Sequence, residues 1–234
     1  MTTTARKRVL RLLIATLKGG SAKTTTAVLL ALALGRKGYK VVGICADTRS
    51  QGLSDWRNLM TERGIEVPIT MITWRGEDED GKLSRFASKA EREHDADVVI
   101  IDTGGEHPDV FMSAALYADR LISPVGAMIA ELRRLPATED AAAEINEGGH
   151  EIVMSVLLNR VPSIGKGAAR EARSFIDGTD LRGGDEDAYD MHVLQAEIPR
   201  DASKYADVWG TDPDDLAMYK VLADEIEQDW RNAA

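Results

Sequence analysis

Short apolar runs alternate along the chain with longer segments in which apolar residues recur every three or four positions. The runs predict strands at residues 8–16, 40–46, 67–73, 97–101, 120–125, 151–158 and 192–198. The longer segments predict helices at residues 23–36, 52–63, 83–93, 136–147, 165–176 and about 214–230, and a further helix opened by Pro108. This alternation predicts an α/β fold, doubly wound, with a mainly parallel β-sheet flanked by helices on both faces.

The domain organisation follows from the same pattern. The strands at 98–101 and 153–158 are almost continuously apolar, as strands must be when helices cover both faces of a parallel sheet. Two acid-rich stretches, 76–82 and 177–190, fall between predicted elements and are expected to be loops. Because the sequence shows neither an internal repeat nor a linker, we expect residues 1–234 to form a single domain.

Composition excludes several classes of protein. The 234 residues carry 29 Lys and Arg against 39 Asp and Glu, a net charge of −10, and 44% are hydrophobic, which argues against a disordered chain. The longest uncharged stretch, residues 24–35, is too short to cross a membrane. A single cysteine, Cys45, excludes internal disulfides and multi-thiolate clusters. We therefore expect a cytoplasmic protein without membrane attachment. Because the net charge is negative, nucleic acid would have to bind to a local basic patch.

The most informative segment is LKGGSAKTTT, residues 17–26, between the first predicted strand and helix. A bound phosphate needs converging backbone N–H groups, a helix N-terminus, a lysine for its charge and a hydroxyl for Mg²⁺. Lys23 and Thr24 supply the last two. The standard P-loop pattern fails here because Leu17 and Ala22 occupy its glycine positions. A plain glycine turn before a helix is the competing interpretation.

The segment instead matches the deviant Walker A pattern, Lys-Gly-Gly-x-x-Lys-Thr/Ser, through Lys18, Gly19, Gly20, Lys23 and Thr24. In this it resembles the ParA/MinD family of P-loop NTPases, which implies ATP and Mg²⁺ as ligands. The resemblance assigns nucleotide binding to Lys18, Gly19, Gly20, Ser21, Ala22, Lys23, Thr24 and Thr25. It also implies an ATP-dependent homodimer, in which Lys18 reaches the phosphates of the partner's ATP. Ala22 adds a Cβ where the family usually has glycine, which is harmful only if φ is positive.

A second matching feature is the apolar strand that ends in Asp102, an arrangement typical of Walker B, where a carboxylate holds Mg²⁺ through water. The following residues, Thr103, Gly104 and Gly105, resemble the family's turn at the γ-phosphate. Asp102 alone would be a weak signal, since many buried strands end in aspartate. Its place some 80 residues after the phosphate segment strengthens the assignment.

The stretch after the second strand departs from the family. The family's Asp-x-Asp-Pro-Gln-Gly corresponds here to residues 47–52, DTRSQG, so that Asp47 is retained but Arg49 replaces the second aspartate. That aspartate helps to position the attacking water, so we expect slow or absent hydrolysis unless a carboxylate such as Glu106 compensates. Alternatively, Arg49 neutralises γ-phosphate charge and locks the ATP state. The resemblance gives Lys18, Lys23, Asp47 and Asp102 as catalytic residues and Thr24, Asp47 and Asp102 as metal ligands.

Two later positions are candidates for contact with the base. In the family an asparagine at the place of Asn159 reads the adenine edge, although a turn residue ending a strand is an equal interpretation on chemistry alone. Pro199, in the sequence Ile-Pro-Arg at 198–200, resembles the family's turn beside the base.

The branch of the family can be narrowed further. Family members that bridge an iron cluster between subunits need two cysteines per chain, and Cys45 alone excludes that branch. MinD-like members carry a basic C-terminal helix for anionic lipid, whereas residues 211–234 hold seven acids and two bases, which anionic lipid would repel, so that branch is excluded too. In this segment Leu216, Tyr219, Ala223, Ile226 and Trp230 form an expected core stripe. Only 17 residues precede Lys18, too few for an N-terminal helix-turn-helix domain. The small ParA type remains.

The resemblance therefore implies an ATPase that dimerises on ATP, binds non-specific DNA in plasmid or other DNA segregation and responds to a centromere-binding, ParB-type partner on the nucleoid. Candidate DNA contacts are Lys166, Arg170 and Arg173 on one predicted helix face, with a merely solvated face as the alternative. The basic run of Arg6, Lys7, Arg8 and Arg11 is a second candidate. The other functions considered are a conjugation or positioning accessory of the same family, and an ATP-dependent synthetase of the dethiobiotin or cobyrinate type.

Overall fold

Seven strands pair side by side, all in parallel, in the order β3-β2-β4-β1-β5-β6-β7. They are β1 (Leu10–Ile14), β2 (Val41–Cys45), β3 (Ile69–Thr73), β4 (Val98–Asp102), β5 (Arg120–Gly126), β6 (Val153–Val161) and β7 (His192–Pro199). The computed structural model describes residues 7–17, 21–47, 51–76, 82–105, 107–162, 167–177, 191–200 and 208–233. The predicted doubly wound parallel sheet is confirmed.

Helices cover both faces of this sheet. They are α1 (Lys23–Arg36), α2 (Gly52–Glu62), α3 (Leu83–Glu93), α4 (Pro108–Ala115), α5 (Ile129–Leu132), α6 (Leu135–Glu147), α7 (Ala168–Asp177) and α8 (Met218–Asn232). One core cluster joins α1, α2 and α8 to the sheet, and another joins α3, α4 and α6 to the opposite face. No helix in the described ranges is long and apolar enough to span a bilayer.

Helix α1 is the central helix of the first face. Its leucines Leu29, Leu30, Leu32 and Leu34 are buried almost completely, as expected for a helix that is apolar around most of its circumference. It packs on β1, β2 and β4 and against α8. This packing fixes the helix N-terminus at the carboxyl edge of the sheet, the edge at which doubly wound folds bind ligands.

Most observed element boundaries lie within four residues of the predicted ones, and one short helix was not predicted. Strand β6 continues to Val161 because Asn159 still pairs with Gly126 of β5 and Val161 pairs with Pro199 of β7. Helix α5 has four residues, too few for a periodic signal. Helix α8 begins at Met218 rather than near residue 214. The predicted C-terminal core stripe is confirmed at Leu216, Tyr219, Ala223 and Ile226, with Trp230 packed against the same core.

Candidate nucleotide-binding site

The predicted phosphate and metal residues come together where β1, β4 and β2 end. Strand β4 lies between β1 and β2, and Asp102 pairs in register with Ile14 on one side and Cys45 on the other. Helix α1 starts at Lys23, shortly after β1, and Asp47 follows β2. Four elements thus bring Lys23, Thr24, Asp47 and Asp102 to one edge of the sheet.

Lys23 is the cation of this cluster. Lys23 is only 9% exposed. This burial lowers the pKa of its ammonium group, while the negative charges of Asp102 and Asp47 oppose that shift. At the α1 N-terminus no side chain of the described residues caps the helix. The first backbone N–H groups therefore stay available, and the helix dipole favours an anion beside Lys23.

Asp102 is fully buried, and burial raises the pKa of its carboxyl group to about 7. The Thr24 hydroxyl and the Lys23 ammonium lie near enough to lower this pKa, whereas the Asp47 charge raises it. Neither carboxylate oxygen completes a hydrogen bond with any residue that the structure describes. A buried carboxylate in this condition calls for a cation.

The donor set fits Mg²⁺. Magnesium binds hard oxygen ligands, typically one or two carboxylates together with substrate phosphates and waters. The Thr24 hydroxyl and the Asp102 and Asp47 carboxylates supply such oxygens. No group of three or more His, Cys, Asp and Glu residues in the described ranges could hold a metal ion by itself. The site therefore suits a metal that arrives with phosphate oxygens.

Two glycines let the segments around the site approach closely. A Cβ on Gly104, after β4, would lie 3.0 Å from Oδ1 of Asp47. A Cβ on Gly52, the first residue of α2, would lie 3.1 Å from Oγ1 of Thr24. Asp47 thus packs against the turn that resembles the γ-phosphate sensor, and α2 begins against the predicted metal ligand. Lys18, Gly19, Gly20, Arg49 and Glu106 lie outside the described residues.

Ala22 has φ 60° and ψ 36°, in the left-handed region where a Cβ is unfavourable. The harmful alternative considered from the sequence is therefore the one observed. We expect Ala22→Gly to raise the free energy of unfolding by about 0.5–1 kcal/mol, since relief of strain exceeds the entropy gained by the unfolded chain. Urea denaturation of the nucleotide-free protein measures this change.

The matched control is Ala31→Gly in the interior of α1, which removes the same methyl group from an ordinary helical position. It should lower stability by about 1 kcal/mol. If both substitutions destabilise the protein equally, Ala22 is not strained.

On the base side, Asn159 is 2% exposed and lies near the end of β6. Its Nδ2 donates to Oγ1 of Thr26 on α1 at 3.2 Å, and its Oδ1 accepts from the Arg160 N–H at 2.7 Å. Within the described residues, these contacts leave one amide N–H and one oxygen lone pair of Asn159 for a ligand. Pro199 ends β7 and pairs with Val161 of β6, so that both residues predicted to contact the base lie at or near the ends of neighbouring strands.

Of the three predicted DNA contacts, the structure describes two, Arg170 and Arg173. Lys166 lies outside the described residues, and Arg170 is exposed. Arg173 instead turns toward β7, where it donates to the Leu194 carbonyl at 2.7 Å and to Oε1 of Glu197 at 3.1 Å. Helical spacing predicts which residues share a face, but not that Arg173 covers the edge strand of the sheet.

The second basic candidate is also tied into the fold. Lys7 pairs with Asp97 and Asp95, and Arg11 makes hydrogen bonds to Glu91; Arg6 lies outside the described residues. Exposed arginines that the sequence did not single out, Arg133 and Arg134, follow α5, which packs against α7. A four-residue helix gives no periodic signal from which their exposure could be read.

The sequence contains no pattern that would place Thr138 beside the phosphate segment. Its hydroxyl accepts a hydrogen bond from the backbone N–H of Leu17, the residue before the deviant Walker A lysine, at 3.2 Å. Nothing in the local sequence connects two positions so far apart.

Comparison with solved structures supports the fold. A putative plasmid partition protein from Borrelia burgdorferi, bound to AMPPNP, is 18% identical with a TM-score of 0.67, covering 97% of this chain and 100% of that one. Cobyrinic acid a,c-diamide synthase from Mycobacterium smegmatis, with bound ADP and magnesium, is 18% identical with a TM-score of 0.71, covering 97% of both chains. The cell division ATPase MinD of Pyrococcus furiosus is 19% identical with a TM-score of 0.64, covering 95% of this chain and 99% of that one.

Sequence comparison gives the family. A curated relative, the signal recognition particle 54 kDa protein of Thermococcus kodakarensis, is 38% identical over 92 residues, which cover 38% of this chain and 19% of that protein. The chain thus spans about a fifth to a third of the length of the curated relatives it matches. The family model described as ATPase MipZ matches residues 10–150, more than half of the chain. The protein therefore belongs to the MipZ family of ATPases, as the resemblance of the phosphate segment to the ParA/MinD family led us to expect.

Proposed function

We propose that this chain is a nucleotide-driven switch: it binds Mg²⁺ and ATP, forms a homodimer on ATP, and in that state binds DNA without sequence preference. The observation that carries the proposal is the convergence of Lys23, Thr24, Asp47 and Asp102 at the uncapped N-terminus of α1. This arrangement is suited to phosphate and magnesium rather than to a neutral ligand.

Each group of the site has a distinct task. The α1 N-terminus and Lys23 hold the phosphates, and the lowered pKa of Lys23 reflects a burial that a phosphate charge would offset. Thr24 and Asp102 would hold Mg²⁺, which when bound would neutralise charge on the transferring phosphoryl group. Asp47 lies beside Gly104 and orients groups at the γ-phosphate. Lys18 reaches the partner's nucleotide across the dimer.

The DNA-binding surface is proposed to include the exposed arginines around α5 and α7. Arg133 and Arg134 follow α5, Arg170 lies on α7, and the half-exposed Arg160 bonds to Glu131 of α5 at 2.7 Å. This replaces the face that included Arg173. Clustered arginines bind duplex DNA mainly through its phosphates, which gives affinity without sequence preference.

The cellular role is proposed to be segregation of a plasmid or other DNA, or positioning of another cargo, with a ParB-type partner and association with the nucleoid. Two proteins of similar structure are a putative plasmid partition protein and McdA. Those likenesses support the fold only, so the cargo is left to experiment.

The test is binding to a random-sequence DNA duplex without nucleotide, with ADP and with ATP, over a salt series. We expect binding with ATP alone, and Lys23→Ala should abolish it because the nucleotide is no longer held. The double variant Arg133→Ala/Arg134→Ala should weaken the dependence of log affinity on log salt by about 2, one phosphate contact for each arginine.

The matched control is Lys89→Ala/Arg92→Ala, which removes two exposed positive charges from α3. It should leave the salt dependence unchanged. DNA binding that is absent in every nucleotide state would contradict the switch and direct the search toward small carboxylic acids, the substrates of a synthetase.

A further inference from the structure

Behind the phosphate segment, the first turn of α6 contacts the chain where β1 leads into residues 18–20. The Leu17 N–H donates to Oγ1 of Thr138 at 3.2 Å, and Thr138 is 1% exposed. This N–H is partly buried and favours an acceptor, and here a side chain from a distant element supplies it. The entry to the phosphate segment is thus fixed from outside the segment.

A second contact joins the chain on either side of residues 17–20. The hydroxyls of Thr16 and Ser21 lie 3.1 Å apart. Both residues are buried. Thr16 and Ser21 are therefore held to each other, and Leu17 is held to α6.

The hydroxyls of Thr16, Ser21, Thr138 and Ser123 line one small cavity between β5 and α6. Ser123 differs from the others, because its buried hydroxyl has no hydrogen-bond partner within the part of the chain that the structure describes. Two hydroxyls of similar burial thus share one cavity, but only Thr138 bonds to the backbone that enters the phosphate segment. This difference makes Ser123 a matched comparison.

We infer that Thr138 is a positioning residue for phosphate binding, acting through the Leu17 amide rather than by touching the nucleotide. This inference rests on the proposed binding of ATP. The N–H groups of a phosphate loop must converge on one point, and a small displacement of the entering strand weakens all of their contacts together. Loss of the Thr138 acceptor also leaves the Leu17 N–H without a partner.

The experiment measures dissociation constants of Mg·ATP, Mg·ADP and inorganic tripolyphosphate by titration calorimetry. Thr138→Val, which keeps shape but loses the hydroxyl, should weaken all three by a similar factor of about 5 to 100. Thr138→Ser should restore affinity to within about threefold. Ser123→Ala removes a hydroxyl from the same cavity and should leave the three affinities unchanged.

Steady-state kinetics separate positioning from general damage. Thr138→Val should raise KM for ATP while kcat at saturating ATP stays within about twofold, because the lost contact affects bound ground state and transition state alike. Loss of kcat alone, or equal losses in Ser123→Ala and Thr138→Val, overturns the inference. So does a Thr138→Val protein that binds all three ligands like the wild type.

Two outcomes keep the inference distinct from the proposed function. If the wild-type protein binds none of the three ligands, both the proposed function and the inference about Thr138 are wrong. If Thr138→Val does not fold, hydrogen exchange of the Leu17 amide in the wild type and in Thr138→Ser tests the inference instead. We expect this amide to be strongly protected in both proteins. Exchange at the rate of an unbonded amide overturns the role of Thr138.

Discussion

Asp102→Asn should make the nucleotide-free protein more stable at pH 8 while reducing Mg²⁺-dependent ATP hydrolysis by about 100-fold or more. The gain in stability arises because Asp102 is fully buried and must carry a charge there at this pH. Asparagine has nearly the same shape and no charge. We expect the free energy of unfolding at pH 8 to rise by about 4 kcal/mol, the free energy linked to the shift in pKa at about 1.4 kcal/mol per unit.

The pH dependence of this gain identifies its cause. Folding raises the pKa of Asp102 from 3.8 to about 7, so between these values the native state binds more protons than the unfolded state. Wild-type stability from this group therefore falls as pH rises from about 4 to about 7 and is constant outside that window. Asparagine does not titrate, so the difference between the two proteins should be smallest below about pH 4 and reach its full value above about pH 7.

Urea denaturation at several pH values, combined with ATPase assays, measures both effects. Asp177→Asn, at the exposed end of α7, is the control and should change stability by no more than about 0.5 kcal/mol at any pH. A variant at position 102 that is less stable than wild type at pH 8 would show that the buried carboxylate is stabilised by its surroundings. Addition of Mg²⁺ and ATP should narrow the gap, because ligands that bind only the native wild type stabilise it.

The sequence predicts the strands and helices of the fold well, because the residues at the ends of an element and the apolar pattern within it indicate the same bounds. Helix α1 was predicted at its observed bounds, since the glycine pair before Lys23 and the apolar run after it point to the same start and the same burial. Asp102 was predicted as a metal ligand from its place after an apolar strand. Its raised pKa was not, because burial from every side depends on strands and loops distant in the chain.

The misplaced details depend on tertiary contacts. Arg173 was assigned to a solvent-facing helix face, but α7 packs so that this side chain reaches the carbonyls of β7. Thr138 bonds to Leu17 across 121 positions of the chain, and no periodicity connects them. The sign of φ at Ala22 decides whether its methyl group is harmful, and only the structure supplies it.

Arg49→Asp should increase the rate of ATP hydrolysis by about 10- to 1000-fold. Phosphoryl transfer depends on the position of the attacking water and on nearby charge, so restoring the family's carboxylate and removing a cation both act on the transition state. The described residues on either side of this position already contact the site. Asp47 lies against Gly104, and Gly52 lies against Thr24. We therefore expect the new carboxylate to act in a site that is otherwise assembled.

Single-turnover hydrolysis with excess enzyme measures the chemical step without product release. Arg92→Asp, on the exposed surface of α3, makes the same change of charge away from the site and should leave the rate unchanged. Arg49→Asp no faster than wild type would contradict the interpretation that a missing carboxylate limits hydrolysis.

Arg49→Ala distinguishes the two roles that this arginine can have. If the only defect is the missing carboxylate, alanine should hydrolyse ATP as slowly as arginine, with similar ATP affinity. If Arg49 instead neutralises γ-phosphate charge and holds the ATP state, alanine should release ATP about 10-fold faster, because a charge-assisted contact is lost. In that case the lifetime of the DNA-bound Arg49→Ala dimer should fall by the same factor, because this lifetime would depend on retained ATP rather than on the rate of hydrolysis.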